Sequence, residues 1–529
     1  MAPRSAWSPF RHPVYRVLWT AQLGSNIGTW MQLVGAQWLM GTLGGSIALV
    51  AAIQTAMTLP VVLLAMPGGA IGDVFDRRKV LIVSQSFMLA CAGGLALVSA
   101  TGVASPGAIL ALTFALGAGQ AVQLPCWQAV QPELVDREEI PQASALAGIS
   151  MNIARAVGPA LGGVAVALAG PSMCFALNAV SFAVVTTVTW RWRRHTPERP
   201  LGAEHMGSAI RAGLRYVRSS PRIRAVLARG AIFVSCASAV WALLPSLARD
   251  RLDLGASGYG LLLGLVGLGA VLGAFGLPRL RRRFTTNQIV TTSSLTAAVA
   301  TTVIGLSSSV LPVGAALLLS GASWIGVLAS LNASAQLALP GWVRARGMSV
   351  YLTTFFGGQA IGGLLWGVVA QHTGLGPAML IVAATLAIGS LATFVFPLAQ
   401  SSGVDLSPAD EDLPAPELAL DREPAHGPVL VTVEYMVAAE NHEAFREALA
   451  RRGRARRRSG AERWSLYQDA VDPDRFVETF VVPTWEEHLR QHTERHTALD
   501  VRQRDEAMAL VKEGTEPVIE HLLYAYDSR

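Results

Sequence analysis

Apolar runs of about 20 residues recur along the first 400 positions, separated by short polar turns. A helix of about 20 apolar residues crosses the hydrocarbon core of a bilayer, so each run predicts a transmembrane helix. The runs fall at 14–40, 46–70, 80–100, 107–131, 142–169 and 173–192, and again at 223–248, 257–277, 285–306, 310–339, 348–370 and 376–398. That makes twelve. No acidic or basic residue lies between Lys79 and Glu133, or between Phe284 and Trp342.

Beyond 400 the pattern changes. Residues 401–428 are rich in Pro and acid and predict a tether. Val429–Tyr435 alternates as a strand does. A helix fits 440–458, strands fit 462–469 and 476–482 around the turn Asp472-Pro473-Asp474, helices fit 484–496 and 500–513, and a strand fits 517–526. The order β-α-β-β-α-β predicts a ferredoxin-like sheet.

An internal repeat divides the membrane part. Gly69, Gly72, Arg77, Arg78 and Lys79 return 204 positions later as Gly273, Gly276, Arg281, Arg282 and Arg283, and Gly158 and Gly163 return as Gly362 and Gly367. Such a repeat predicts two stacked bundles around a midplane cavity. The expected fold class is therefore an all-α membrane protein of twelve transmembrane helices in two six-helix bundles, plus a small C-terminal α+β ferredoxin-like domain. The expected boundaries are 1–192 and 223–400 for the bundles, 193–222 for a central loop, 401–428 for the linker and 429–529 for the tail domain. In the loop, Ile210, Leu214 and Val217 recur at helical spacing beside Arg211, Arg215 and Arg218. That predicts an amphipathic helix lying on anionic lipid, or else a solvated linker.

Composition agrees. The chain is 52% hydrophobic and 15% charged, against about 25% charged in soluble domains, with a mean hydropathy of +0.41. A wholly soluble, disordered or disulfide-scaffold protein is excluded. The net charge of +6 does not point to nucleic acid, because the cations flank apolar runs. Loops on the N-terminal side hold 23 Lys and Arg, and the other side holds only Arg249 and Arg251. The positive-inside rule places both termini in the cytoplasm. Cys91, Cys126, Cys174 and Cys236 all lie in apolar runs and read as packed thiols. The first run is too long for a cleaved signal.

Polar residues inside the spans carry the candidate chemistry. Asn26, Gln54, Gln120, Gln123, Asn152, Asn332, Gln336 and Gln359 form stripes on several helices. Each amide alone reads as interhelical glue; several stripes together read as a wet substrate cavity. Arg155 is a charge deep in a span, at a cost of about 3 kcal/mol on insertion scales. It predicts attraction for an anionic or phenolate-rich substrate, unless it pairs nearer the cytoplasmic ring. No Asp or Glu lies well inside any predicted span. No Gly-x4-Gly-Lys-Ser/Thr loop supports pumping by ATP.

Gly69-x3-Asp73-x3-Arg77-Arg78 resembles the loop motif of the major facilitator superfamily, with Asp76 where that motif usually has Gly. Ala154-x3-Gly158-Pro159-x2-Gly162-Gly163 resembles its antiporter motif, with Ala in the first Gly position. Phe10-Arg-His-Pro-Val-Tyr-Arg16 and Ser25-Asn26-Ile-Gly28-Thr-Trp30-Met-Gln32 resemble the transmembrane secretion effector branch of exporters. The resemblance implies alternating access with proton antiport, and a latch of Gly69, Asp73, Arg77 and Arg78 that stabilises the outward-open state. It implies helix packing and a kink at Gly158, Pro159, Gly162 and Gly163. The tail is similar to the dimeric α+β barrel of small monooxygenases.

The expected function is secondary export of a siderophore, antibiotic or drug across the inner membrane, without enzymatic activity. The alternative is a membrane-anchored enzyme or sensor with the tail as its active part. Expected partners are the small-molecule substrate and the bilayer, with dimerisation through the tail and no nucleic acid. His488, His492 and His496 share one face of a tail helix. Two such histidines can hold a metal, but a solvated or dimer-facing helix is the plainer reading, so no metal or other cofactor is expected.

Overall fold

The computed structural model describes residues 7–192, 206–398 and 427–525, apart from 494 and 496; within its helices the side chains of 65, 66, 68–74, 132, 137, 141, 206–212, 345 and 493 are outside the description. The helices are α1 (Pro13–Thr42), α2 (Ile47–Val74), α3 (Arg77–Ala100), α4 (Pro106–Val130), α5 (Ile140–Ala169) and α6 (Pro171–Arg191). Next come α7 (Met206–Ser219), α8 (Pro221–Asp250), α9 (Ala256–Arg281), α10 (Thr286–Leu306), α11 (Val310–Leu337), α12 (Arg344–Thr373), α13 (Leu375–Ser390) and the short α14 (Ala392–Val395). The tail holds β1 (Val429–Met436), α15 (His442–Ser459), β2 (Arg463–Gln468), β3 (Arg475–Val482), α16 (Trp485–Thr493), α17 (Ala498–Met508) and β4 (Val518–Leu523).

Eleven helices among the described residues are long and apolar enough to cross a membrane. The 30-residue α1 is not among them, because Gln22, Asn26, Gln32 and Gln37 dilute its apolar content. Many helices begin at Pro or at a capping side chain. Asp76 caps α3 by accepting from the amides of Arg78 (2.8 Å) and Lys79 (3.3 Å), and Thr285 and Gln288 form a reciprocal capping box on α10. The capping role accounts for the acid where the loop motif usually has Gly.

The chain forms two compact units. One takes the described residues within Met1–Pro200, Leu227–Leu331 and Leu352–Pro397; the other takes those within Leu201–Val226, Asn332–Tyr351 and Leu398–Arg529. In the first, α1 packs on α5 and α6, α2 on α4, α3 on α6, α5 on α9, and α10 on α13. Met40, Ile53, Met88, Leu95, Ile109 and Phe175 form a buried cluster among α1–α4 and α6.

In the second unit the strands pair in the order β2-β3-β1-β4, all antiparallel. Val429, Val431, Val433 and Tyr435 alternate inward on β1, opposite Phe476, Phe480 and Val482 of β3, and Phe445 of α15 covers them. The tail does not stand apart from the loops. The Tyr216 hydroxyl of α7 donates to the Ala338 carbonyl at 2.9 Å, its ring meets Trp342 edge-on, and Arg215 donates to the Gly460 carbonyl. Tyr216 and Val217 are buried. This part of the α7 apolar face is covered by protein, where the sequence predicted lipid or solvent. The side chains of Ile210 and Arg211, most of the 401–428 linker and His496 lie outside the described residues.

Candidate transport site

Arg155 stands 15 residues into the 30-residue α5, about 22 Å from its start at 1.5 Å per residue. Half-buried there, its guanidinium carbon lies 5.6 Å from the Trp30 ring of α1 and 6.0 Å from the Trp324 ring of α11. Its Nε is buried without a hydrogen-bond partner, and no carboxylate among the described residues pairs with it. Indole faces attract a cation through their quadrupole, by about 2 kcal/mol when desolvated, but they accept no hydrogen bond of ordinary strength. The site therefore holds a cation with one donor, Nε, unpaired.

The surrounding surface is aromatic. Trp30 lies 5.6 Å from Trp241, Trp241 5.9 Å from Trp324, and Trp324 about 6 Å from both Phe233 and Phe355, measured between ring centroids. Phe233, Trp241, Ser320 and Trp324 line a small cleft. Sequence reasoning missed these rings. The signal was present: indoles in the middle of spans, away from the interfacial belts where Trp collects.

The predicted polar residues divide into separate groups. Asn26 accepts from Gln22 (3.0 Å) and donates to Ser150 of α5 (3.2 Å), one α5 turn and a half before Arg155. Gln54 donates to Gln359 at 3.2 Å, joining α2 to α12. Gln123 is buried in α4, whereas Gln120 and Asn152 are half-buried. Asn332 and Gln336 are exposed, bond each other at 3.1 Å and belong to the second unit. Arg229, counted with the loop cations by sequence, is a second buried guanidinium; it donates to Asn287 and, at 2.9 Å, to Thr291.

The helix ends remote from the N-terminus are tied together. The Tyr259 hydroxyl of α9 donates to Gln37 of α1 at 2.6 Å, Gln37 donates to the Trp241 carbonyl of α8, and Thr55 of α2 donates to the Ala360 carbonyl of α12 at 2.8 Å. Beside them α5 and α9 touch backbone to backbone. A Cβ on Gly163 would lie 2.6 Å from the Ala256 carbonyl oxygen, and one on Gly260 2.6 Å from that of Pro159. Gly158 and Gly162 pack in the same way against Trp30 and Met31 of α1. Through Pro159, α5 continues as one helix.

At the other end, Arg77 pairs with Glu133 at 2.9 Å, and Arg78 donates to the carbonyls of Thr189 (3.1 Å) and Trp190 at the end of α6. Both arginines thus bind within the first six helices. Gly69 and Asp73 lie in the last turns of α2, where side chains are outside the description.

Two groups among the described residues could offer three ligand atoms to a metal: His12, Asp136 and Glu139, and His488, His492 and His521. In the first, His12 and Glu139 already bond each other at 2.8 Å.

The chain is similar to characterised transporters. The Enterobactin exporter EntS of Escherichia coli O1:K1 is 26% identical over 326 residues, 61% of this chain and 76% of that protein. The Staphyloferrin A transporter of Staphylococcus aureus is 26% identical over 157 residues, 30% of this chain and 40% of that one. Of solved structures, an inward-facing, unoccupied bacterial homologue of the human lysosomal transporter Spinster matches with a TM-score of 0.59 at 15% identity, covering 75% of this chain and 99% of that chain. A POT family transporter in complex with 5-aminolevulinic acid matches at 0.61 and 15%, covering 72% and 95%. These two likenesses speak for the fold. A family model described as transmembrane secretion effector matches residues 4–528, and a multi-pass bundle with a cation held among indoles is in keeping with it: the chain belongs to the transmembrane secretion effector family of the major facilitator transporters.

Proposed function

We propose that this protein exports a small anionic organic molecule, of the siderophore, antibiotic or drug class, across the plasma membrane by alternating access. Arg155 carries the proposal: a mid-helix cation between Trp30 and Trp324, with a buried donor unpaired and no carboxylate paired with it among the described residues. A catecholate or carboxylate supplies the missing acceptor, and its apolar body suits the aromatic surround. The names of the enterobactin and staphyloferrin relatives support that class.

α1 is taken as the twelfth span, its polar residues turned to the cavity and to neighbouring helices. The 23-to-2 split of loop cations supports cytoplasmic termini. On that orientation the tied end formed by Gln37, Tyr259, Gly163 and Gly260 faces outward. Proton antiport follows the family resemblance, and Asp73 completes the cytoplasmic latch in the outward-open state. The strand order and the β-α-β-β-α-β sequence support a ferredoxin-like tail.

Inside-out vesicles test this reading. Uptake of a catecholate siderophore under an imposed pH gradient is expected, with Arg155→Gln weakening it at least tenfold and Arg155→Lys less, because Lys keeps the charge but loses the planar fork. The loss should be mainly in apparent KM. Unchanged uptake in both variants would sink the anionic-substrate reading. In the same assay Asp73→Asn should lower the maximal rate; a normal rate would reduce the loop motif to a topology signal.

A further inference from the structure

Topology assembles a histidine cluster that sequence spacing does not reveal. His488 and His492 lie one turn apart on α16. The third member, His521, comes from β4, where it pairs with the inward-facing Val431 of β1 and so shares its face of the sheet. The ring centroids of His492 and His521 each lie 4.8 Å from that of His488. Ligand nitrogens of the three lie within 4.8 Å of one another.

His488 is 1% exposed; neither of its ring nitrogens makes a hydrogen bond of good geometry, and Gln491 is the side chain that interacts with the ring. A buried imidazole without a well-made hydrogen bond forfeits about 1–3 kcal/mol that water would supply. Some compensating interaction is expected at such a place. Packing against Trp485 and Phe480, at 5.5 and 6.5 Å between centroids, satisfies the ring carbons and not the nitrogens.

We propose that His488, His492 and His521 bind one divalent first-row transition ion, Zn²⁺ foremost, in the tail domain. Three neutral imidazoles suit such ions and not Ca²⁺ or Mg²⁺, which take oxygen ligands. A metal at about 2.0–2.1 Å from each nitrogen needs them about 3.3 Å apart in tetrahedral geometry. Binding requires His492 and His521, both half-buried, to turn toward His488 and close the remaining distance.

The surroundings keep the rings neutral, as a metal ligand must be. Burial, the other two imidazoles and the Arg456 guanidinium push His488 down to about 3, and burial with Arg456 and His521 pushes His492 down to about 4. Arg456 is itself neutralised in part by Glu478, 3.6 Å away. Its remaining field works against a bound cation, so the site calls for an anion in the open fourth position of the ion.

The test uses the purified full-length protein without a polyhistidine tag. Equilibrium dialysis against Zn²⁺ should leave one ion per chain, and Co²⁺ in its place should give the intense visible bands of a low-coordinate site. His488→Gln and His521→Gln should each weaken Zn²⁺ binding at least tenfold and remove those bands, while His12→Gln leaves both unchanged. If His488→Gln fails to fold, His521→Gln on the edge strand decides the matter. Three results overturn the proposal: no retained ion in the native protein, an ion retained equally by both tail variants, or an ion lost only in His12→Gln. The first of these would make the trio an aromatic packing cluster and nothing more.

Discussion

Glu478 shows how one side chain organises the tail. It is fully buried on β3, accepts from the Tyr435 hydroxyl at 3.0 Å and from the Trp464 indole at 2.9 Å, and faces Arg452 and Arg456 at 3.7 and 3.6 Å. Burial alone would raise its carboxyl pKa, but Arg456, Arg452 and the two hydrogen bonds outweigh it and hold the group below its ordinary 4.5. Glu478→Gln leaves two guanidiniums without a counter-charge and should cost about 3–5 kcal/mol. A depressed carboxylate contributes stability above its unfolded value and loses it as pH falls through the lower folded value. Protection factors of the β3 amides in the whole protein, with the intrinsic exchange rate divided out, should therefore fall below pH 4.5 in the native chain. In the Gln variant, protection should be low throughout, with little change across that window. Strong protection in the variant at neutral pH would mean that the ion cluster does not support the sheet.

At the scale of elements, the contact of α5 with α9 governs how the two halves of the membrane unit can part. Only hydrogen fits at Gly163 and Gly260, since a Cβ at either would fall well inside contact distance of backbone oxygen. Gly260→Leu should hold the helices apart. Cysteines placed at opposed positions of α5 and α9 should then crosslink several-fold more slowly than in the native background. Unaltered crosslinking would show that the contact is not limiting. The long helices were readable from apolar run length, and their predicted limits differ from the observed ones by four residues at most, except that the last, predicted to run to 398, ends at Ser390 and is followed by the short α14. The strands of the tail were readable from alternation. Contacts made by chain crossing were not. His521 reaches His488 only because β4 lies beside β1, and Trp30, Trp241 and Trp324 meet only because α1, α8 and α11 converge. Arg229 was misread for a related reason. It lies near a run of loop cations in sequence, yet α8 has already begun, and Asn287 and Thr291 of α10 accept its protons.

For the whole molecule, the second unit joins three stretches far apart in sequence: α7, the turn between α11 and α12, and the tail. Arg495 is the meeting point. Its guanidinium pairs with buried Glu487 at 2.5 Å, donates to the Ser459 carbonyl at 2.9 Å and lies 4.9 Å from the Trp342 ring. The tail is also tied to the turn covalently through the intervening chain, so this docking is an intramolecular event. A tether of this length supplies an effective concentration on the order of millimolar. Individually weak contacts then suffice, and the docked population depends on the integrity of the tether and not on how much protein the membrane holds. Cutting the chain at a protease site inserted within 401–428 converts the same contacts into a bimolecular equilibrium. The freed tail should then wash off membranes upon dilution, whereas the uncut tail should remain insensitive to dilution. A cut tail that stays bound at nanomolar protein would mean that Tyr216, Trp342 and Arg495 alone hold it, and that the linker is a spacer without thermodynamic weight.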